Sequence, residues 1–183
     1  MLRAIVFILV FCTTSSSYAV NATNSVTEIN QSGHWQVIEF AAETQLIYRL
    51  SSTSINDARQ VIVFDFVPAK DCIPTPAVMV SSLKSYNKTF DEGMLPLAYK
   101  LPDQEQSMEV VKTVMSKGDT FAFFPFEQLK APNLLNARDR GKLAIWIPAS
   151  GDGTVKRSGN IYFSLEGFSP AYLSAKRLCG GSK

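Results

Sequence analysis

Histidine is almost missing from this chain of 183 residues: His34 stands alone, next to Trp35. A triad base needs a nucleophile and an orienting acid around it, and neither sits at recognisable spacing, so His34 reads as a surface or strand-edge residue. One histidine and few cysteines also make a zinc site improbable. Gly-x-Ser-x-Gly is absent, and so is Cys-x-x-Cys, which removes the usual hydrolase elbow and the usual redox couple. The acids of "GDG", "FDEG" and "PDQEQ" do not follow a calcium-loop pattern and read as turns. Asp91, Glu92, Asp103 and Glu105 could serve a small hydrolase only by converging in three dimensions. The closing "CGGSK" has glycines and a lysine without phosphate-loop spacing or a following helix, and reads as a frayed tail. No catalytic residue, cofactor or metal ligand is therefore expected.

An excess of charge of one sign is lacking too. Lys and Arg number 18 against 16 Asp and Glu, a net charge of +2, and the paired basic residues in "ARDRGK" and "VKRSG" form no basic stripe in the sequence. Nucleic acid is excluded as an expected partner. Apolar runs are short as well. The longest, Ala4–Cys12, is half the ~20 residues that a bilayer-spanning helix needs. With Arg3 before it and Ser17-Tyr18-Ala19 after it, that run has the form of a secretory signal peptide, residues 1–19, cut after Ala19. The expected mature chain has no transmembrane segment and is exported, to the periplasm, the outer surface or the medium. It loses Arg3 and no acid, for a net charge of +1.

Cleavage also removes Cys12 and leaves Cys72 and Cys179 as a pair. In an oxidising compartment two lone cysteines favour a bridge over free thiols. Closing a loop of 107 residues stabilises by about 4–5 kcal/mol on chain-entropy grounds. The bridge would clamp the last element of the chain to its middle.

What is present is mostly strand-like. Residues 20–33 are polar without sustained apolar periodicity and read as a loose N-terminal lead-in, with a single β-rich domain over 34–183. Three Asn-x-Ser/Thr triplets, at Asn21, Asn30 and Asn87, fall in stretches whose composition generates them by chance. "HWQVIEF" alternates, with Trp35, Val37 and Glu39 on one side. "QLIYRL" places Leu46, Tyr48 and Leu50 together, and "RQVIVFDFVP" reads as a strand central in a sheet. "AVMVSSLKSY" and "MEVVKTVM" are further strands, the second with a helical alternative, and Pro125 ends or edges "DTFAFFPF". "KLAIWIP" and "GNIYFSL" flank a turn signal at Gly151-Asp152-Gly153, the clearest hairpin of the chain.

Two segments read as helical. One starts near Pro132 and stops at Gly141 as a C-cap. The other has Ser169 as N-cap, Pro170 at its first position, and Tyr172, Leu173 and Leu178 to cover a sheet face. Ile161, Phe163 and Leu165 point one way before Gly167 turns the chain into that helix. The expected fold is mainly β: an antiparallel sandwich or partly closed barrel with one or two short helices, the C-terminal one disulfide-clamped to the body.

"LLNARDRGKLAIWIPA" followed by "IYFSLEGFSPAYLSA" resembles the end of invasion-associated locus B family proteins. The match lies at Leu134, Leu135, Gly141 and Lys142, then at Ser164, Leu165, Gly167, Phe168 and Ala171, with Trp35 corresponding to an early family tryptophan. It spans about a third of the chain. The cysteine that the family places after that tryptophan is replaced by the neighbourhood of Glu39 and Phe40, and residues 70–118 have no counterpart. The resemblance implies a non-enzymatic, virulence-associated β domain of the periplasm or outer surface, with a protein partner, engaged in host-cell interaction. It carries over no catalytic residue. The alternatives are an accessory subunit of a secretion or envelope assembly and the hydrolase built from the four acids above.

Overall fold

The computed structural model describes residues 26–42, 45–81, 94–115, 121–137, 139–146 and 160–181. The signal segment 1–19, Asn21, Asn87, the acids Asp91 and Glu92, and the Gly151-Asp152-Gly153 turn lie outside these residues.

Among the described residues, eleven strands form two antiparallel sheets. The larger is ordered β1-β2-β3-β4-β5-β9-β8, from β1 (Val26–Ser32), β2 (Trp35–Ala42), β3 (Gln45–Thr53), β4 (Gln60–Phe66), β5 (Thr75–Ser81), β8 (Val114–Met115) and β9 (Phe121–Pro125). The smaller is ordered β11-β10-β6-β7, from β6 (Met94–Lys100), β7 (Ser107–Lys112), β10 (Lys142–Trp146) and β11 (Ile161–Ser164). Two helices complete the fold, α1 (Ala131–Asn136) and α2 (Phe168–Gly181). The arrangement is sandwich-like, and neither sheet closes into a barrel.

Composition explains the positions. The continuous β-branched and aromatic run of β4 takes the middle place of seven, where Ile62, Phe64 and Phe66 face the core and Val63 is buried on the other parity. β9 stops at Pro125, which cannot donate to a ladder. β10 and β11 pair as the expected hairpin, Leu143 opposite Phe163 and Ile145 opposite Ile161. The inward residues of both sheets share one core with α2. Trp35, Leu50, Phe64 and Phe124 come from the larger sheet, Leu97, Ile145 and Phe163 from the smaller, and Phe168, Ala171 and Ala175 from the helix. α2 lies over β1 to β4. Its Phe168 meets the Trp35 ring edge-on at 4.9 Å and Phe64 at 5.5 Å, a geometry that adds to simple burial.

Cys72 and Cys179 are bridged, with Cα atoms 5.9 Å apart and both residues in the core. A 3-10 turn over Pro68–Lys70 delivers Cys72, followed by two left-handed residues, Asp71 at φ 56° and Cys72 itself at φ 55°. The clamp between the middle and the end of the chain is thus as the cysteine count foretold.

Four local expectations are corrected. Residues 26–32 are a paired strand, not part of a loose lead-in. β1 is an edge strand whose side chains at residues 27–31 meet solvent, so it has no apolar period to show. α1 ends at Asn136 with Ala137 as its C-cap, and Gly141, at φ 77°, instead turns the chain into β10. α2 begins at Phe168, and its first turn is capped from afar: the Ser169 backbone N–H donates to Asp139 Oδ1 at 2.7 Å. Leu173 is 56% exposed, because the buried stripe runs through Phe168, Ala171, Tyr172, Ala175 and Cys179.

Candidate functional site

The segment from Ser164 to Ala171 and the β1–β2 turn build a joint inside the fold. Where the β1–β2 turn meets the β11–α2 turn, two glycines pass each other. A Cβ on Gly33 would lie 2.6 Å from the Glu166 carbonyl oxygen, and one on Gly167 would overlap the Ser32 carbonyl. Both have positive φ, 55° and 84°, so glycine is required twice over. The Trp35 Nε1–H donates to the Ser164 carbonyl at 2.9 Å, and Ser164 Oγ accepts the Glu166 N–H at 3.2 Å. Leu165, Phe168 and Ala171 are fully buried beside this joint. The motif Ser164, Leu165, Gly167, Phe168, Ala171 thus fixes how α2 leaves β11. His34 stands exposed at the same turn, its Nε2 3.9 Å from Glu166 Oε2.

Asp103 and Glu105 are exposed on the connection between β6 and β7. Asp57, on the β3–β4 connection and bonded through both oxygens to Arg59, has its pKa lowered chiefly by that side-chain hydrogen bond. Glu109 is the one acid among the described residues that is driven inside. It is nearly buried on β7, and its two oxygens accept the backbone N–H groups of Glu127 and Gln128 at 2.7 and 3.0 Å. It holds the approach to α1. Beside it, burial pushes the Tyr99 phenol up, the Ser107 hydrogen bond opposing and the Glu109 charge adding to the shift. Among the described residues no group of three or more His, Cys, Asp or Glu could hold a metal ion, and no helix is long and apolar enough to cross a membrane. The chain matches no known family, no curated protein and no solved structure.

What remains is a surface. On the smaller sheet, strand alternation sends Leu97, Tyr99, Glu109, Val111, Leu143 and Ile145 inward. The opposite parity faces outward. Met94 is 67% exposed, Met108 63% and Val110 60%, and Pro96 is exposed beside them. Register makes them neighbours: Pro96 lies opposite Val110, Ala98 opposite Met108 and Met94 opposite Lys112. Trp146 and Tyr162 stand half-buried farther along the same face.

Three lysines, Lys100, Lys112 and Lys142, are exposed on this parity, from three strands, and Lys142 Nζ stands 5.9 Å from the centroid of the Tyr162 ring. None of the described outward residues of β6, β7, β10 and β11 is acidic. The larger sheet's outer face treats a cation differently. There Arg49 is clamped by Asp65 through two bonds of 2.6 and 2.7 Å and lies 4.9 Å from the centre of the Phe40 ring.

Sequence reasoning missed this face. Lys100, Lys112 and Lys142 come together only once the order β10-β6-β7 and its register are known. One signal was readable: in "SMEVVK" residues of both parities are apolar, more than a half-solvated edge strand needs.

Proposed function

We propose that this is an exported, non-enzymatic binding protein that holds a protein partner against the outer face of its smaller sheet. The carrying observation is the group Met94, Met108 and Val110, three large apolar side chains each at least 60% exposed on two paired strands. Exposed apolar side chains are ordinary when scattered; gathered with aromatics and cations of one sign, they form a contact surface. The Cys72–Cys179 bridge suits an oxidising compartment and the signal-like residues 1–19 suit export. The resemblance to invasion-associated locus B proteins points to the same class, a β domain of the periplasm or outer surface facing a host or envelope partner.

Photo-crosslinking tests the reading. With p-benzoyl-phenylalanine at Met108, exporting cells should yield one adduct of discrete mass, absent when the same group replaces exposed Lys176 on α2. Equal adducts from both positions, or none from Met108, would reject the binding face.

A further inference from the structure

The smaller sheet's two edges differ. β11 is covered by the β3–β4 connection: the Ile55 N–H donates to the Tyr162 carbonyl at 2.8 Å, Asn56 Oδ1 accepts the Tyr162 N–H at 3.1 Å, and Asn56 Nδ2 donates to the Asn160 carbonyl at 2.6 Å. β7, at the other edge, pairs only with β6 among the described strands. Its ladder has a built-in marker. Pro96, which has no N–H, stands opposite Val110, a placement that suits the non-hydrogen-bonded kind of antiparallel pair. By the alternation of a strand, the backbone groups of Met108, Val110 and Lys112 then point to the open edge, and the side chains of the same three residues point to the outer face.

We propose that β7 receives an extended acidic segment of the partner as a fifth strand, antiparallel or parallel, with its glutamate or aspartate side chains alternating onto the lysine-bearing face. This rests on the binding face described above and names what fills it. Strand addition supplies main-chain hydrogen bonds, and alternate side chains supply selectivity. Lys112 and Lys100 flank the Met108 and Val110 contact, so the carboxylates at the two ends of such a segment meet cations, and those between extend past methionine and valine into solvent.

The same lysines argue against two other occupants. A second copy joined through β7 would set two faces of like charge side by side, the device by which sheet edges resist self-pairing. For an anionic bilayer, three lysines on a narrow sheet give only marginal attraction.

The experiment is a titration of the isotope-labelled protein with an acetylated nine-residue peptide alternating glutamate with valine or threonine, followed by amide resonances. The expected result is saturable shifts concentrated in β7 and the outward positions of β6. A lysine-for-glutamate peptide should give none. Lys112→Glu with Lys100→Glu should weaken the glutamate peptide by about tenfold at low salt. N-methylating the peptide at one set of alternate residues should abolish binding, and methylating the other set should leave it, because an added strand hydrogen-bonds through one side only. Indifference to both methylations, preference for the lysine peptide, sedimentation with phosphatidylglycerol vesicles in place of peptide binding, or concentration-dependent dimerisation blocked by Val110→Lys would each overturn strand addition. If the Met108 crosslink persists while the methylation pattern fails, the face binds and the strand mechanism is wrong. If the crosslink also fails, the face itself is wrong.

Discussion

β11 and β7 are edges of the same four-stranded sheet, and the protein treats them in opposite ways. β11 is closed by backbone and side-chain bonds from Ile55 and Asn56 and by the Trp35 indole on the Ser164 carbonyl. β7 carries Met108 and Val110 into solvent. An exposed apolar edge is a hazard that natural sheets usually blunt, and the covering of β11 shows the fold doing so. Among the described strands the other edge, β7, has no partner beyond β6, and it carries the exposed Lys112; the proposed strand addition would account for that difference. On the proposed function, the covered edge serves the stability of the fold and the other edge its contacts.

Breaking the covered side should cost most. Cys72→Ala with Cys179→Ala removes the link across 107 residues that seats α2 over β1 to β4. The expected loss is about 4–5 kcal/mol, read as a drop in the denaturant midpoint of the oxidised protein. Gly167→Ala comes next: a left-handed position and an overlap with the Ser32 carbonyl together should destabilise by upwards of ~2 kcal/mol. Gly180→Ala, with nothing within 4 Å of the new Cβ, should be neutral or slightly stabilising in the same assay. An equal effect of the two would show that the glycine crossing holds nothing.

Smaller effects sharpen the contrast. Asn56→Ala removes two bonds to β11 and should cost about 1 kcal/mol, with faster amide exchange at Tyr162. Val110→Ser, on the same exposed strand, should change stability by less than about 0.5 kcal/mol while removing the adduct formed from position 108 and the peptide titration. A large stability loss there would mean that β7 is core after all.

The alkaline limb of the stability curve reports on the interior. Burial raises the Tyr172 phenol above its ordinary value of 10.0, and burial leads the rise at Tyr99. In the unfolded chain both lose their protons near pH 10 while the native protein still holds them, so stability is intact below that pH and falls as pH rises through the native values. Phenolate absorbance rising ahead of unfolding at these two residues would contradict their burial.

The fold was largely legible because its signals are local or chemical. Cys72 and Cys179 declared themselves by being two in a chain whose third cysteine lies in a signal-like run, and "KLAIWIP" and "GNIYFSL" declared a hairpin by their flanking turn. β1 was not legible, since an edge strand wet on both sides has no period. The α2 cap was not, because Asp139 reaches Ser169 from 30 residues away and only the fold brings it there. The lysine face was hidden for the same reason: its charges are dispersed along the chain and are gathered by register.

The position of the disulfide has a consequence for synthesis. Cys72 must wait for Cys179, and the Trp35 pocket must wait for Phe168, so most of the larger sheet emerges from the ribosome long before the helix that seals it. Until those last residues arrive, the inner face of β1 to β4 is bare. Sealing it is therefore a late event, completed when the helix docks and the sulfurs join.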